Sequence, residues 1–120
     1  MRIDDTRPIW IQLADSFRSR ITNGTWKPGE KIPSVRDLAI EAGTNPNTVQ
    51  RALVALDDEG LTVSKRTAGR FVATDDSALH ILRQEDARGA ADAFIRACRA
   101  LGVDAEGAHG LVDERWNADL

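Results

Sequence analysis

The apolar pattern of the 120-residue chain predicts a mainly α-helical fold with one small β-hairpin. Three observations carry this prediction. Apolar residues recur at helical spacing within residues 4–24, two short helices with capping residues follow between Ser34 and Gly60, and residues 61–74 alternate apolar and polar side chains at both ends. Two further helical segments are predicted after residue 77.

The first helix is predicted within residues 4–24. Pro8 suits its first turn, where a backbone donor is not needed, and Asn23-Gly24 ends it. A wide apolar stripe at helical spacing gives it one face for the core. The stripe consists of Ile9, Trp10, Leu13, Ala14, Phe17 and Ile21.

A turn and a second helix come next. Lys27-Pro28-Gly29-Glu30 combines residues that favour turns. Ser34 is a good N-cap, with Asp37 approximating a capping box three residues later. The second helix should run to about Ala42 and stop at Gly43.

The third helix begins at another cap, because Asn45 precedes Pro46 at the first helical position, and it closes at Gly60. Only a few residues separate it from the second helix, which predicts a helix-turn-helix. Such a unit needs a small residue at the crossing, Ala39, and a left-handed turn residue, Gly43. The predicted apolar stripe of the third helix is Val49, Ala52, Leu53 and Leu56.

Residues 61–74 predict a β-hairpin that adds a wing to this unit. Leu61 and Val63 on one strand, and Phe71 and Ala73 on the other, are expected to face inward. The small, basic segment 65–70 forms the loop. The expected fold is a winged helix-turn-helix followed by a short helical tail.

The tail follows a polar linker at residues 74–77. Helices are predicted from about 78 to 101 and from about 105 to 116, which divides the chain into a winged helix-turn-helix domain at 1–74 and a helical dimerisation tail at 75–120. These residues are too few to enclose a separate core, but they can bury an apolar face against a second copy. The candidate dimerisation residues are Leu79, Leu82, Ala90, Phe94, Ala97, Leu101, Leu111, Val112 and Trp116.

Charge is distributed unevenly along the chain, whose net value is −3. Residues 1–73 hold eleven Lys and Arg against nine Asp and Glu, and residues 74–120 hold five against ten. The two segments are therefore +2 and −5, which sum to −3. This asymmetry suggests different partners for the two segments, although a small positive excess says little unless its charges share a face.

The polar start of the third helix suits double-stranded DNA. In a helix-turn-helix the third helix enters the major groove, where Asn and Gln can pair with adenine, Arg with guanine, and a Thr methyl can touch thymine. Basic residues of a wing can contact the backbone or the minor groove. The candidate DNA-binding residues are Ser34, Arg36, Asn45, Asn47, Thr48, Gln50, Arg51, Lys65, Arg66, Gly69 and Arg70. Two roles for Asn45 stay open: it caps the third helix only, or it caps the helix and also contacts DNA.

Other classes of function receive little support. The chain shows no membrane-length apolar run, secretory signal, phosphate loop or nucleophile motif, so an enzyme is disfavoured and a cytoplasmic location is expected. His80 and His109 alone do not predict a metal site, Cys98 is interpreted as structural, and no cofactor is expected. The tryptophans Trp10, Trp26 and Trp116 are interpreted as packing residues, with Trp116 also a candidate dimer anchor. A protein-binding winged helix stays as the alternative.

Four motifs cover residues 8–73 almost continuously: P-I-W-x-Q-L, G-x-W-K-P-G-E-K-I-P-S-V-R-D-L-A, G-T-N-P-N-T-V-Q-R-A-L-x-x-L-x-x-E-G-L and G-R-F-V-A. Together they strongly resemble the DNA-binding domain of GntR-family bacterial transcriptional regulators, and the N-P-N-T-V-Q-R-A-L variant with its short tail points to the YtrA-type branch. The resemblance implies a homodimeric repressor on a palindromic operator, often that of its own operon with ABC transporter genes. Its effector is unknown.

The family's DNA contacts carry over by resemblance onto Arg36, residues 45–51 and the wing tip near Gly69. Three positions depart from the usual pattern. Many members have glycine where Thr67 stands, threonine where Arg70 stands and tyrosine where Trp10 stands. The first two departures imply a wing tip that is less tight and more basic.

Overall fold

The computed structural model describes residues 4–120 and confirms the mainly α-helical fold with a two-stranded antiparallel hairpin. Every predicted helix is present, and each of its ends lies close to the expected residue. The elements are α1 (Ile9–Thr22), α2 (Val35–Ala42), α3 (Pro46–Asp58), β1 (Thr62–Lys65), β2 (Gly69–Val72), α4 (Ser77–Leu101) and α5 (Ala105–Arg115).

The chain divides into two compact units, the first ending at Leu82 and the second comprising Arg83–Leu120. The boundary lies inside α4 because the start of this helix packs on the first unit. Leu79 is only 7% exposed and belongs to the core there, with Leu82 packed against it. The expected division, between residues 74 and 75, follows the polar linker. The two compact units instead separate inside α4, between Leu82 and Arg83.

The core of the first unit is built from the facing apolar stripes of α1 and α3. Leu13 and Phe17 of α1, and Val49, Leu53 and Leu56 of α3, are each at most 1% exposed. They are the residues predicted for these stripes. Burial of side chains this large supplies most of the favourable free energy of folding.

The caps of the helix-turn-helix are those that local sequence predicts. The Ser34 hydroxyl accepts a hydrogen bond from the Asp37 backbone N–H at 3.1 Å, and the Asn45 side-chain oxygen accepts one from the Asn47 N–H at 2.7 Å. Gly43 follows α2 in the left-handed conformation, with φ 65°. These caps fix where α3 begins, and therefore which residues form its first turn.

The inward face of the hairpin differs from the prediction. Thr62 and its partner Val72 are 3% and 2% exposed, whereas Val63, paired with Phe71, is 45% exposed. Leu61 is buried but precedes β1, so the alternation begins one residue later than expected. Thr62 is tolerated inside because its hydroxyl donates a hydrogen bond to the Asp57 carboxylate.

The second unit has little core of its own. It contains most of α4 and all of α5, which follow one another through Gly102 in a positive-φ conformation. Asp104 caps α5 by accepting from the Gly107 N–H at 2.9 Å. Within this unit only Cys98 and Ala108 are buried.

The Asn45 cap should contribute measurably to stability. We expect Asn45→Ala to lower the free energy of unfolding by about 0.5–2 kcal/mol, because the start of α3 loses its side-chain acceptor. Urea denaturation at a fixed protein concentration measures the change. Asn47→Ala is the matched control, since the donor at that position is the backbone N–H, and it should change the free energy by less than about 0.5 kcal/mol. Equal losses in both variants would contradict the role of the cap.

Candidate nucleic-acid interface

The first half of α3 presents a polar face opposite its buried stripe. Asn47, Gln50 and Arg51 are exposed, while Val49 and Leu53 point into the core. Thr48 is half-buried at the edge of this face, and Asn45 is exposed although its side-chain oxygen is used in the cap. The fold thus keeps the predicted polar side chains of α3 on its outer surface.

A cleft of about 380 Å³ joins α3, the start of α2 and the wing. Ser34 and Gln50 line it from the helices, and Gly69 and Arg70 line it from the wing. These four candidate residues therefore meet at one place. Arg36 lies exposed in the first turn of α2.

Lys31 also lines this cleft, and the sequence-based list of site residues omits it. Lys31 pairs with Phe71 of β2 through an isolated antiparallel bridge. A side chain on Gly69 would place its Cβ 2.9 Å from the Lys31 Cε atom, and Gly69 has a φ of 113°. The backbone conformation favours glycine here, whereas the end of the flexible Lys31 side chain could move away from an added Cβ. Nothing in the local sequence indicates this approach.

The wing tip carries the exposed basic residues Lys65 and Arg66. The Lys65 Nζ atom lies 4.8 Å from the centroid of the Phe71 ring. In the turn, Thr67 adopts a positive φ of 65°, which is unusual for a β-branched residue and explains why glycine would suit this position. The tip is therefore strained at Thr67 and is closed by Gly69.

Arg70 is not a free cation of the wing, contrary to expectation. Its guanidinium binds the Asp57 carboxylate, with Nη2 to Oδ2 at 2.9 Å and Nε to Oδ1 at 3.1 Å, and its side chain is only 11% exposed. Asp57 also accepts the hydrogen bond from Thr62. One carboxylate near the end of α3 thus holds both strands of the wing, and Arg70 has a structural role.

Several other arginines of the first unit are also paired with carboxylates. The bridges are Arg7–Asp15 at 2.9 Å, Arg18–Glu59 at 2.6 Å and Arg20–Glu41. The hydrogen bonds that Arg18 donates to the Glu59 carboxylate are the main reason why the pKa of Arg18 is raised. Within residues 4–120, Arg36, Arg51 and Arg66 have no such bridge. Among the residues of this unit that the structure describes, the arginines without a bridge are therefore those predicted to contact DNA.

Arg51 contacts an aromatic ring instead of a carboxylate. Its Cζ atom lies 4.3 Å from the centroid of the Trp10 ring on α1, within the range of a cation–π interaction. Trp10 is half-buried, so the interpretation of this residue as packing alone is incomplete. Trp26 does pack in the core, 5.6 Å from Phe17 between ring centroids.

The candidate dimerisation residues fall into two groups. Leu79 and Leu82 pack in the first unit, as described above, so they are not available on an exposed tail surface. The other seven lie in the second unit and are exposed: Ala90, Phe94, Ala97, Leu101, Leu111, Val112 and Trp116. Five of these line an apolar groove of about 720 Å³ between α4 and α5: Ala90, Phe94, Leu111, Val112 and Trp116.

Comparison with known proteins establishes the class. Residues 11–72 match the family described as bacterial regulatory proteins, gntR family. The chain is 30% identical over 105 residues to YhcF of Bacillus subtilis, an uncharacterized HTH-type transcriptional regulator, and the match covers 88% of this chain and 87% of YhcF. The chain belongs to the GntR family of transcriptional regulators, which are not enzymes.

The YtrA resemblance and the winged-helix fold are confirmed. The HTH-type transcriptional repressor YtrA of B. subtilis is 38% identical over 65 residues, covering 54% of this chain and 50% of YtrA. A GntR-family regulator from Listeria monocytogenes superposes with a TM-score of 0.75 at 29% identity, covering 93% of this chain and 98% of that one. The DNA-binding domain of AraR in complex with its operator ORX1 gives a TM-score of 0.57 at 27% identity, over 61% of this chain and 93% of that one. These comparisons support DNA binding by this domain.

Across residues 4–120, none of the helices combines the length and the apolar character that crossing a bilayer requires.

The pair between Arg70 and Asp57 should stabilise the first unit. We expect Arg70→Met to lower the free energy of unfolding by about 1–3 kcal/mol, because the Asp57 carboxylate loses its cation in a half-buried place while the methionine retains most of the apolar stem. Chemical denaturation measures the loss. Arg36→Met removes an exposed arginine without a bridge and should change stability by less than about 0.5 kcal/mol. An Arg70→Met protein as stable as the Arg36→Met protein would show that the pair is not stabilising.

Proposed function

We propose that this chain is a homodimeric repressor that reads a palindromic operator, with α3 in the major groove and the wing on the adjacent backbone or minor groove. The observation that carries the proposal is the exposed face of α3, where Asn47, Gln50 and Arg51 project from a helix whose other face is fully buried. Amide and guanidinium groups in this position match the donors and acceptors of base edges. Val54 is the one large apolar residue of α3 that is exposed, at 41%, so this face lacks the apolar patch that a protein partner would be expected to need.

Contacts to phosphate would come from exposed basic residues of the first unit. Lys31 lines the cleft, Arg36 is exposed in the first turn of α2, and Lys65 and Arg66 are exposed on the wing. Phosphate contacts set the position of a protein on the duplex and give affinity that falls with salt. Arg70 is omitted from this set because Asp57 occupies its guanidinium. Asn45, Thr48, Ser34 and Gly69 remain at the border of the proposed interface.

The second unit supports a dimer. Its exposed apolar residues include Phe94, Leu111, Val112 and Trp116, and two buried residues are too few to stabilise a pair of helices alone. A second copy would cover the groove of about 720 Å³ with the same residues, as a two-fold interface requires. Two copies would also present two α3 helices to two half-sites, which makes a palindrome the natural target.

Repression of the protein's own operon, in the cytoplasm, completes the proposal. Similarity to YtrA, a transcriptional repressor, and to the AraR domain bound to operator DNA supports repression through an operator. The choice of its own operon rests on the resemblance to the YtrA-type branch. An operator near the promoter would allow the bound dimer to exclude polymerase. ABC transporter genes are candidate members of the regulated operon, by resemblance to the YtrA-type branch.

A competition gel-shift assay tests the DNA-binding proposal. The probe is the DNA upstream of this protein's own gene, titrated at near-physiological salt against excess random duplex. We expect a discrete complex that survives the competitor and is weakened by about 1–3 kcal/mol in Arg36→Ala, if Arg36 reads a base. Equal losses on specific and random DNA would assign Arg36 to phosphate.

Arg7→Ala is the matched control for this assay. Arg7 is already bridged to Asp15, so its removal should leave the specific complex nearly unchanged. Binding that the competitor abolishes would contradict recognition of this upstream DNA. No binding at low salt would support the protein-binding winged helix in place of the repressor.

Sedimentation equilibrium tests the dimer. At micromolar concentration we expect twice the mass of one chain for the wild type and a shift towards one chain for Trp116→Asp, because a charge would enter an apolar interface. Trp116 is 79% exposed in the single chain, so its replacement costs the fold little. Asn117→Asp adds the same charge at the adjacent position and should stay dimeric. A wild-type mass equal to one chain would contradict the proposal.

A further inference from the structure

We propose that Trp10 is a positioning residue, whose ring holds the Arg51 guanidinium ready for a bidentate contact to guanine. Trp10 would thereby set the preference for one guanine in each half-site. This inference rests on the proposed function and deepens it. It assigns a role in DNA recognition to a residue of α1, outside the helix-turn-helix.

The geometry of the pair carries the proposal. The Arg51 Cζ atom lies 4.3 Å from the Trp10 ring centroid, and Arg51 stands on the exposed face of α3. Within residues 4–120 no carboxylate forms a salt bridge with Arg51. The ring is thus the group that restricts the side chain.

Stacking on a ring leaves the donors of the arginine available. In the pair of Arg70 with Asp57, the carboxylate occupies both Nε and Nη2. An indole face instead attracts the charge of a guanidinium through its π-electrons and accepts no fork of hydrogen bonds. Arg51 is therefore oriented without being neutralised, and its N–H groups remain for O6 and N7 of guanine, which accept an arginine bidentately.

The segment of α1 that carries Trp10 is held in place by its neighbours. Gln12, two residues after Trp10, is buried, and its Oε1 accepts from the Asp4 N–H at 2.9 Å. The Gln12 Nε2 donates to the carbonyls of Asp4 and Arg7 at 2.7 and 2.8 Å. The next residue, Leu13, is completely buried in the core. The backbone that carries Trp10 is thus anchored to the core by its neighbours, which fixes the place from which the ring projects.

Pre-ordering matters because a free arginine loses rotamer freedom when it binds a base. A ring that has already restricted the side chain reduces this loss for contacts made in the stacked geometry. The gain applies to the base pair that Arg51 reaches and to no other. Trp10 should therefore affect sequence preference at one position, in contrast to a packing residue, whose loss weakens binding to every sequence equally.

Binding measurements on a set of operator variants test the inference. Footprinting on the bound upstream DNA first locates the palindrome. The palindrome is then altered one base pair at a time, symmetrically in both half-sites, and fluorescence anisotropy gives the dissociation constant for each duplex. We expect Arg51→Ala to abolish the preference for one guanine. Trp10→Leu should weaken binding to the unaltered palindrome about two- to fivefold and reduce the preference at that same guanine only.

Further variants separate positioning from packing. Trp10→Tyr keeps an aromatic face and should retain most of the guanine preference, and Trp10→Met provides a second apolar variant that lacks a ring. In an Arg51→Ala background, Trp10→Leu should cause no further loss. Ile9→Ala alters the neighbouring, exposed residue of α1 and should leave the preference unchanged. Thermal unfolding confirms that each variant is folded.

Results that overturn the role of Trp10 differ from results that overturn the proposed function. A uniform loss across all duplexes in Trp10→Leu, or an equal loss in the Arg51→Ala background, would overturn the inference and leave the proposed function intact. Unchanged guanine preference in both Trp10→Leu and Trp10→Met would do the same. A wild-type protein that prefers no palindrome over random DNA would overturn the proposed function and this inference together.

Discussion

The burial of one face of α3 against α1 is the constraint on which the rest of the first unit depends. Val49, Leu53 and Leu56 are almost completely removed from solvent, so the rotation of α3 about its own axis is determined. A helix that buries one stripe must present the opposite stripe outward. The buried apolar stripe of α3 consequently keeps Asn47 and Arg51 on the surface. The wing is attached to the same helix, since Asp57 binds both of its strands, so the recognition surface and its flank share one rigid reference.

Charge compensation gives this surface its character. The net charge of the whole chain is −3, which by itself argues against a nucleic-acid partner. In the folded unit, carboxylates neutralise arginines away from the outer face of α3, as Glu59 does for Arg18 and Asp57 for Arg70. Among the described residues of the first unit, the arginines left without a bridge are Arg36 on α2, Arg51 on α3 and Arg66 at the wing tip, and all three are exposed. Local distribution decides what a protein can bind, because exposed charges act over about one Debye length, roughly 8 Å at physiological salt.

The second unit, unlike the first, has a small core and an exposed apolar surface. Its two helices bury few side chains and expose many, including Phe94 and Trp116, so its own core is small. The first unit extends into α4, since Leu79 of this helix completes the core of the winged helix. The two parts therefore differ in what they need: the first is stabilised by its own interior, whereas the second leaves an apolar groove uncovered. Membership of the GntR family accounts for the first part through the matched residues 11–72.

The sequence alone determined the helices, their caps and the polar face of α3. The Ser34 and Asn45 caps act within three residues, and the stripe of α3 follows from helical periodicity, so both could be predicted from neighbouring residues. Tertiary structure decided what distant residues do to each other. Arg70 is bound by a carboxylate 13 residues away, and Arg51 lies over a ring from another helix. The inward face of the hairpin also depended on tertiary structure. The alternation of residues predicts that Val63 faces inward, whereas β1 begins at Thr62 and buries that residue. The sequence does not distinguish a paired basic residue from an unpaired one, because partners that are distant in the chain meet only in the tertiary structure.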